Sequence, residues 1–249
     1  MTISILYYTD NILEESFAAR VQKELLKAAG GKKIITVSQK PIDFGDSICL
    51  GDIGRSHHSL FRQILVGAKA ATTENVALVE HDCMYTPEHF NWIPPDSKRF
   101  FYNVNHWFVQ WGGKHSGEYS YGRRKVLSNL ICNRELLIRA LEEKVKMIEL
   151  GAIIRKGQVG ACEPGVCDDR VAFVELKEQL LEQEYLKACK ENPNHKDVGK
   201  ETFSAKSFKT VLPNLDIRHG KNFSGGRHGG QTTYDLPYWG NFNEYMGGI

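Results

Sequence analysis

Three short apolar runs constrain this chain more than anything else in it: residues 3–8 (ISILYY), 34–37 (IITV) and 76–79 (VALV). A strand that is apolar on nearly every side chain is buried on both faces, the pattern of a parallel sheet covered by helices. The segments between the runs supply those helices. Over residues 12–29, Leu13, Phe17, Val21 and Leu25 recur at helical spacing. Asp10 or Asn11 can cap this helix, and Gly30-Gly31 stops it. Over residues 56–71, Leu60, Ile64, Gly67 and Ala68 follow one side of a second helix. The order strand, helix, strand, helix, strand predicts right-handed crossovers and a layered α/β sheet. Residues 41–52, punctuated by Gly45 and Gly51, read as a loop.

Past Asp82 the pattern loosens. Pro87, Pro94 and Pro95 interrupt the chain, residues 100–111 read as one strand, and residues 112–121 as a polar loop. Residues 135–150 carry Leu136, Ile138, Leu141, Val145 and Ile148, a helical stripe, and residues 171–189 predict another helix. The tail after Pro193 is rich in Gly, with little periodicity. There is no internal repeat, so one domain over residues 1–249 is expected.

The composition, 41% hydrophobic and 25% charged, is that of a globular protein. No apolar run approaches the roughly 20 residues of a membrane helix. The first residues lack a basic leader and read as a strand, so a cytoplasmic protein without contact to membrane is expected. Six scattered cysteines fit reduced thiols, and Cys162 and Cys167 have no second pair to complete a zinc site. The formal charge is +2, but residues 96–125 carry six Lys or Arg against two acids, and residues 193–231 seven against three. Such basic loops are either solvated surface or a face for a polyanion.

In open parallel sheets ligands bind beyond the carboxyl ends of the strands. The first strand ends in Tyr7-Tyr8-Thr9-Asp10, without the Gly-x-Gly-x-x-Gly turn of a dinucleotide site, and no Gly-x-x-x-x-Gly-Lys-Ser/Thr loop occurs anywhere. The third ends in Glu80-His81-Asp82. Two carboxylates two residues apart project from one side of the chain. Both ionised beside an apolar strand, they need a cation, and oxygen ligands suit Mg²⁺ or Mn²⁺. The alternative is a solvated turn in which Asp82 caps the next segment.

The stretch Arg62-Gln63-Ile64-Leu65-Val66-Gly67-Ala68-Lys69-Ala70-Ala71, then Val76-Ala77-Leu78-Val79-Glu80-His81-Asp82, resembles the signature of the glycosyltransferase A fold. The resemblance covers residues 3–141 in order of elements and is sharpest over residues 55–82. It implies a mostly parallel central sheet with helices on both faces and a loop-rich C-terminal tail. It also implies a nucleotide-sugar half over residues 1–95, an acceptor half over 96–192, and a tail over 193–249 that closes on the donor. Glu80-His81-Asp82 would stand for the family's Asp-x-Asp motif, and its leading Glu is a departure that makes Asp82 the safer metal ligand. Tyr8, Thr9 and Asp10 would line the nucleoside pocket, with Arg55 or Arg62 on base or phosphates. In the polar tail, His219 (with His228 as second choice) would return to the Mn²⁺ or Mg²⁺, and Arg218, Lys221 and Asn222 would reach the diphosphate.

The implied reaction moves a sugar from a nucleotide-diphosphate sugar, a UDP-sugar first, to an acceptor hydroxyl. An inverting member needs a carboxylate base, for which Glu163 and Asp169 are the candidates; Asp169 could equally be a helix N-cap. Trp107, Trp111, Tyr119 and Tyr121 interleave with Lys114, His115, Arg123 and Arg124. Such a surface can stack a base or a sugar ring. It resembles phage-type transferases that act on hydroxymethylated pyrimidines in DNA; a glycan or cell-envelope acceptor is the alternative. From another class, a non-catalytic nucleic-acid-binding protein would use the basic stretches alone. A zinc hydrolase built on His57-His58 is disfavoured, because adjacent helical residues point about 100° apart.

Overall fold

The computed structural model describes residues 2–149, 163–166, 203–222, 231–232 and 235–246. The expected helix over residues 171–189, together with Cys162, Cys167, Cys189, Asp169 and His228, lies outside them. Two sheets organise the described residues. The larger has seven strands in the order β10-β6-β9-β4-β1-β2-β3: β1 (Ile3–Thr9), β2 (Ile34–Ser38), β3 (Asp46–Cys49), β4 (Asn75–Glu80), β6 (Phe100–Asn103), β9 (Leu130–Asn133) and β10 (Ala205–Phe208). Only β9 runs against its neighbours, so the sheet is mostly parallel. The smaller sheet, β12-β8-β7-β11-β5, is built from β5 (Cys83–Met84), β7 (His106–Gln110), β8 (Glu118–Gly122), β11 (Asn214–Arg218) and β12 (Gln231–Thr232).

Alternation along β1 distributes the core. Leu6 and Tyr8 face one side, with Phe61, Ile64 and Ala68 of α2 (His57–Ala70) and Leu137 and Leu141 of α4 (Arg134–Glu149). Ile5 and Tyr7 face the other, with Leu25, Ala28 and Ala29 of α1 (Glu15–Ala29) and Phe90 of α3 (Pro87–Asn91). Helices thus cover both faces, and each fully buried Leu, Ile or Phe contributes about 1.5–3 kcal/mol. The opposite end of α1 also serves the smaller sheet: Phe17 and Val21 pack on Val109, Leu215 and Ile217, with Phe242 and Met246 of α5 (Phe242–Met246).

The structure corrects several expectations. Neither Asp10 nor Asn11 caps α1, which begins at Glu15; Asn11, at φ 58°, turns its Oδ1 to the amides of Gln39 and Lys40. Residues 41–52 contain β3, an exposed edge strand with no apolar pattern to reveal it. Gly45 is needed at its start, because a Cβ there would lie 2.7 Å from the Ile34 carbonyl oxygen. Residues 100–111 are two strands in different sheets, parted at Val104-Asn105, where Asn105 binds the carbonyls of Thr210 and Val211. Residues 112–121 include most of β8, and the tail supplies β10 and β11. Cys49, Cys83 and Cys132 are free thiols. Among the described residues no helix is long and apolar enough to cross a membrane.

Candidate active site at the exit of the central strand

β4 is buried to Val79 and opens at Glu80, on the α2 side of the sheet. Its register partner on β1 is Tyr8, whose hydroxyl donates to Glu80 Oε1 at 2.9 Å. Burial, followed by the charges of Asp82 and Asp216, pushes the Glu80 carboxyl up to about 8, against the Tyr8 hydrogen bond and Arg218. The chain then turns through His81-Asp82 into the smaller sheet. There the amide of Ile217 donates to the Asp82 carbonyl at 2.9 Å, and Asp216 pairs with Cys83. This pairing delivers the segment after β11 to the carboxylates of β4.

His219 Nε2 comes to 3.4 Å from Asp82 Oδ2. Asn222 Nδ2 donates to the same oxygen at 2.8 Å, while its Oδ1 accepts from the His219 amide. The Lys221 amide donates to His219 Nδ1 at 3.2 Å. Burial alone would raise the Asp82 carboxyl, but the His219 interaction and the neighbouring His81 and Arg218 outweigh it and hold the group below its ordinary value.

A chain of polar contacts continues toward β1. Thr9 Oγ1 and His81 Nδ1 lie 2.7 Å apart, and Asp10 Oδ1 is 3.5 Å from the same nitrogen. Asp10 Oδ2 takes Arg55 Nε at 2.8 Å, and the Arg55 guanidinium donates to the Lys221 carbonyl. Lys221 Nζ reaches the Ile12 carbonyl at 3.4 Å. Gln63 Nε2 donates to the carbonyls of Thr9 and Val37, holding the ends of β1 and β2 together. Thr9, Asp10, Arg55, His81, Asp82, His219, Lys221 and Asn222 therefore form one connected cluster, with Tyr8 and Glu80 at its edge.

Arg62 is exposed on α2 and makes no hydrogen bond or ion pair with this cluster. Arg218 is buried; it donates to Asp216 Oδ2 at 2.8 Å and lies 4.5 Å over the Phe108 ring. Burial works against its charge, but Asp216 first, then Asp82, Cys83 and Glu80, hold its pKa above the ordinary value. Glu163 sits apart, in a turn under β6 whose Pro164 carbonyl accepts from Tyr102 Oη at 2.8 Å. Its Oε2 is buried without a hydrogen-bond partner, and burial pushes the carboxyl up to about 7 against the pull of Lys144. Among the described residues no hydrogen bond or ion pair joins Glu163 to the Asp82 cluster. Trp107 and Tyr119 stack at 5.0 Å and 14°, with Tyr121 edge-on to Trp107 at 4.7 Å, whereas Trp111 packs inward on Phe17. His58 turns to Glu149, not to a metal shared with His57.

Do these residues suit a divalent ion? Two ligands each about 2.1 Å from one ion stand roughly 3–3.5 Å apart, the separation of Asp82 Oδ2 and His219 Nε2. That nitrogen is buried, and its near neighbour is the Asp82 carboxylate. Glu80, Asp82 and Cys83 bring one ligand atom each within 4.8 Å of one another. Burial, with the charges of Asp216, Asp82 and Glu80, holds the Cys83 thiol protonated. The donor set left is carboxylate and imidazole, which suits a divalent ion.

Sequence reasoning passed over His81, Gln63 and Asp216. His81 had a signal, its position between two acids; Gln63 and Asp216 are recognisable only once the strands are paired.

No family model matches the chain, and no curated protein matches it. Among solved structures, it is similar to a glycosyltransferase involved in glycosylation of the major capsid of PBCV-1, at 13% identity over 85% of this chain and 83% of that one, TM-score 0.38. The glycosyltransferase GlyE of Streptococcus pneumoniae TIGR4 is similar at 13% identity over 83% and 45%, TM-score 0.39. A mutant Drosophila beta-1,4-galactosyltransferase 7, in complex with manganese, UDP-Gal and xylobiose, is similar at 10% identity over 59% and 60%, TM-score 0.35. These are likenesses of general architecture; what the site can do follows from its own side chains.

Proposed function

We propose that this chain is a metal-dependent glycosyltransferase that moves a sugar from a nucleotide-diphosphate sugar, a UDP-sugar first, to an acceptor hydroxyl. One observation carries the reading: β11 returns His219 to within 3.4 Å of Asp82 at the carboxyl end of the central strand. Mn²⁺ or Mg²⁺ bound there supplies a Lewis acid that takes up the charge of the departing diphosphate.

Asp82 and His219 would hold the ion, and Glu80 would complete the site from β4. Asn222 fixes the Asp82 carboxylate and thereby the direction of its free lone pairs. Tyr8, Thr9 and Asp10 end β1 beside the cluster and line the nucleoside side. Arg55 and Lys221 set two cations at its mouth for the phosphates, while Arg218 adds positive charge from beneath. Glu163 and Asp169 are the candidates for the carboxylate base that an inverting transfer needs, and Glu163 would have to be brought to the acceptor from its buried place apart from the cluster. The stacked Trp107 and Tyr119 beside half-exposed Tyr121 offer a platform for the ring that bears the accepting hydroxyl.

The test is a thermal-shift series with UDP, GDP and CDP, with and without Mn²⁺. A ligand at 100 times its Kd adds about 2.7 kcal/mol, or roughly 5–10 °C for a chain of this size. One nucleotide should show that shift only with Mn²⁺. Hydroxymethylated DNA and a glycan are then offered as acceptors with the matching sugar donor. A protein indifferent to every nucleotide, with or without metal, contradicts the proposal.

A further inference from the structure

β1, β2 and β4 run parallel, so their amino ends share one pole of the larger sheet, opposite the Asp82–His219 pair. A cavity of about 530 Å³ lies at that pole, between the turn after α1, the start of β4 and the segment that follows α3. Its volume is that of a small-molecule site, about 300–1,000 Å³. Asn75, which borders it, begins the strand that Glu80 ends, and the two stand about 16 Å apart along the strand. The cavity is thus separate from the cluster around Asp82, and the transfer described above makes no use of it.

Ile3, Phe90, Trp92, Ile93 and Pro94 give the cavity an apolar wall. Trp92 is held in place by stacking on Phe208 at 3.8 Å and 9°. Gly30 and Gly31 border the cavity too, and a Cβ on either would meet no atom within 4 Å, so this corner is open space. Alternation along β4 sets Asn75 on the side of Ala77 and Val79, the side that also packs Ile3, Phe90 and Trp92. Asn75 is only 4% exposed. The Thr73 hydroxyl donates to its backbone carbonyl at 2.7 Å, but its side-chain amide has no hydrogen-bond partner among the described residues. An unanswered amide at so buried a position is costly, whereas an apolar residue of the same shape would carry no such penalty.

Two cations complete the lining. Lys33 pairs with Asp46 at 2.8 Å. Lys32 Nζ rests instead on the neutral Asn91 Oδ1 at 2.8 Å and has no carboxylate partner among the described residues. We propose that this cavity is a second binding site, for a small planar ring that carries one phosphate or carboxylate group. The ring packs on Phe90 and Trp92. The Asn75 amide, two donors and an acceptor, meets the polar edge of the ring. Lys32 exchanges Asn91 for the anion, since a charge-assisted hydrogen bond is stronger than one to a neutral amide. This site does not depend on the glycosyltransferase reading, and either can fail without the other.

Trp92 makes the site visible to fluorescence. Tryptophan quenching, excited beyond the nucleotide absorption band, is followed as AMP, UMP or 4-hydroxybenzoate is added. Adenosine, uridine and 4-hydroxybenzamide serve as the uncharged counterparts, and EDTA keeps the Asp82–His219 pair free of metal. At least one anion should saturate below about 1 mM, and its uncharged counterpart should bind at least about 10-fold more weakly. Which anion does so distinguishes a phosphate ligand from a carboxylate. Trp92→Phe should remove most of the signal, and Asn75→Leu and Lys32→Glu should each weaken binding about 10-fold while melting no lower than wild type. The proposal is overturned if no anion saturates in that range, if Trp92→Phe is quenched as strongly as wild type, or if both other variants bind as tightly as wild type. Should Asn75→Leu fail to fold, Lys32→Glu, at the surface, decides.

Discussion

Glu163→Gln should change how stability depends on pH, and the structure sets both sign and size. The Glu163 carboxyl is buried, its Oε2 has no partner, and its pKa is pushed from 4.5 to about 7 by burial. The folded chain therefore binds this proton more tightly than the unfolded chain does. Between those two values the unfolded state carries fewer protons, so stability falls as pH rises. The contribution is fully present below 4.5 and is lost as pH climbs through 7. A gap of about 2.5 pKa units corresponds to roughly 3 kcal/mol in full, most of which is lost between pH 5 and pH 8. Other groups titrate in the same window, Glu80 in the same direction, but they are common to both proteins and cancel in the difference. Urea unfolding of wild type and Glu163→Gln from pH 5 to pH 8.5 measures that difference. The variant should gain on wild type by about 2–3 kcal/mol across the range. A difference that stays flat with pH would show that the carboxyl is already ionised at pH 5, and the burial argument for a base near neutrality would fail.

Two further substitutions separate scaffold from site. Gly45→Ala places a Cβ 2.7 Å from the Ile34 carbonyl oxygen at a backbone φ of +60°, so denaturant unfolding should show a loss of about 1–3 kcal/mol. Arg55→Ala removes a half-exposed ion pair with Asp10, which should cost less than about 1 kcal/mol of stability. The same change should weaken nucleotide-diphosphate binding measured by calorimetry, and equal binding would remove Arg55 from the site.

The residues that sequence reasoning located well are those whose burial is uniform. β1, β2 and β4 are apolar on both faces, and α1 and α2 carry stripes that match the faces they bury. Glu80 and Asp82 stood out because charge follows directly on such a strand. What escaped depends on pairing. β3 is an exposed edge strand held by hydrogen bonds to β2, and local hydrophobicity cannot show that. β6 and β7 look continuous because both are apolar and aromatic, yet Asn103 and Asn105 divide them between two sheets. β11 did carry a signal, the alternation Asn214-Leu215-Asp216-Ile217-Arg218, obscured by the glycines that follow it. That strand is the one that brings His219 to Asp82; the resemblance pointed to His219, but the means of its return, the register of Asp216 with Cys83, lies in strand pairing that local sequence does not carry.

Direct titration of Mn²⁺, followed by electron paramagnetic resonance in the presence of UDP or GDP, bears most immediately on the joined carboxylate and imidazole. Wild type should take up one ion, and Asp82→Asn and His219→Ala should each weaken uptake by at least about 10-fold while remaining folded by circular dichroism. Uptake by both variants equal to that of wild type would contradict the account.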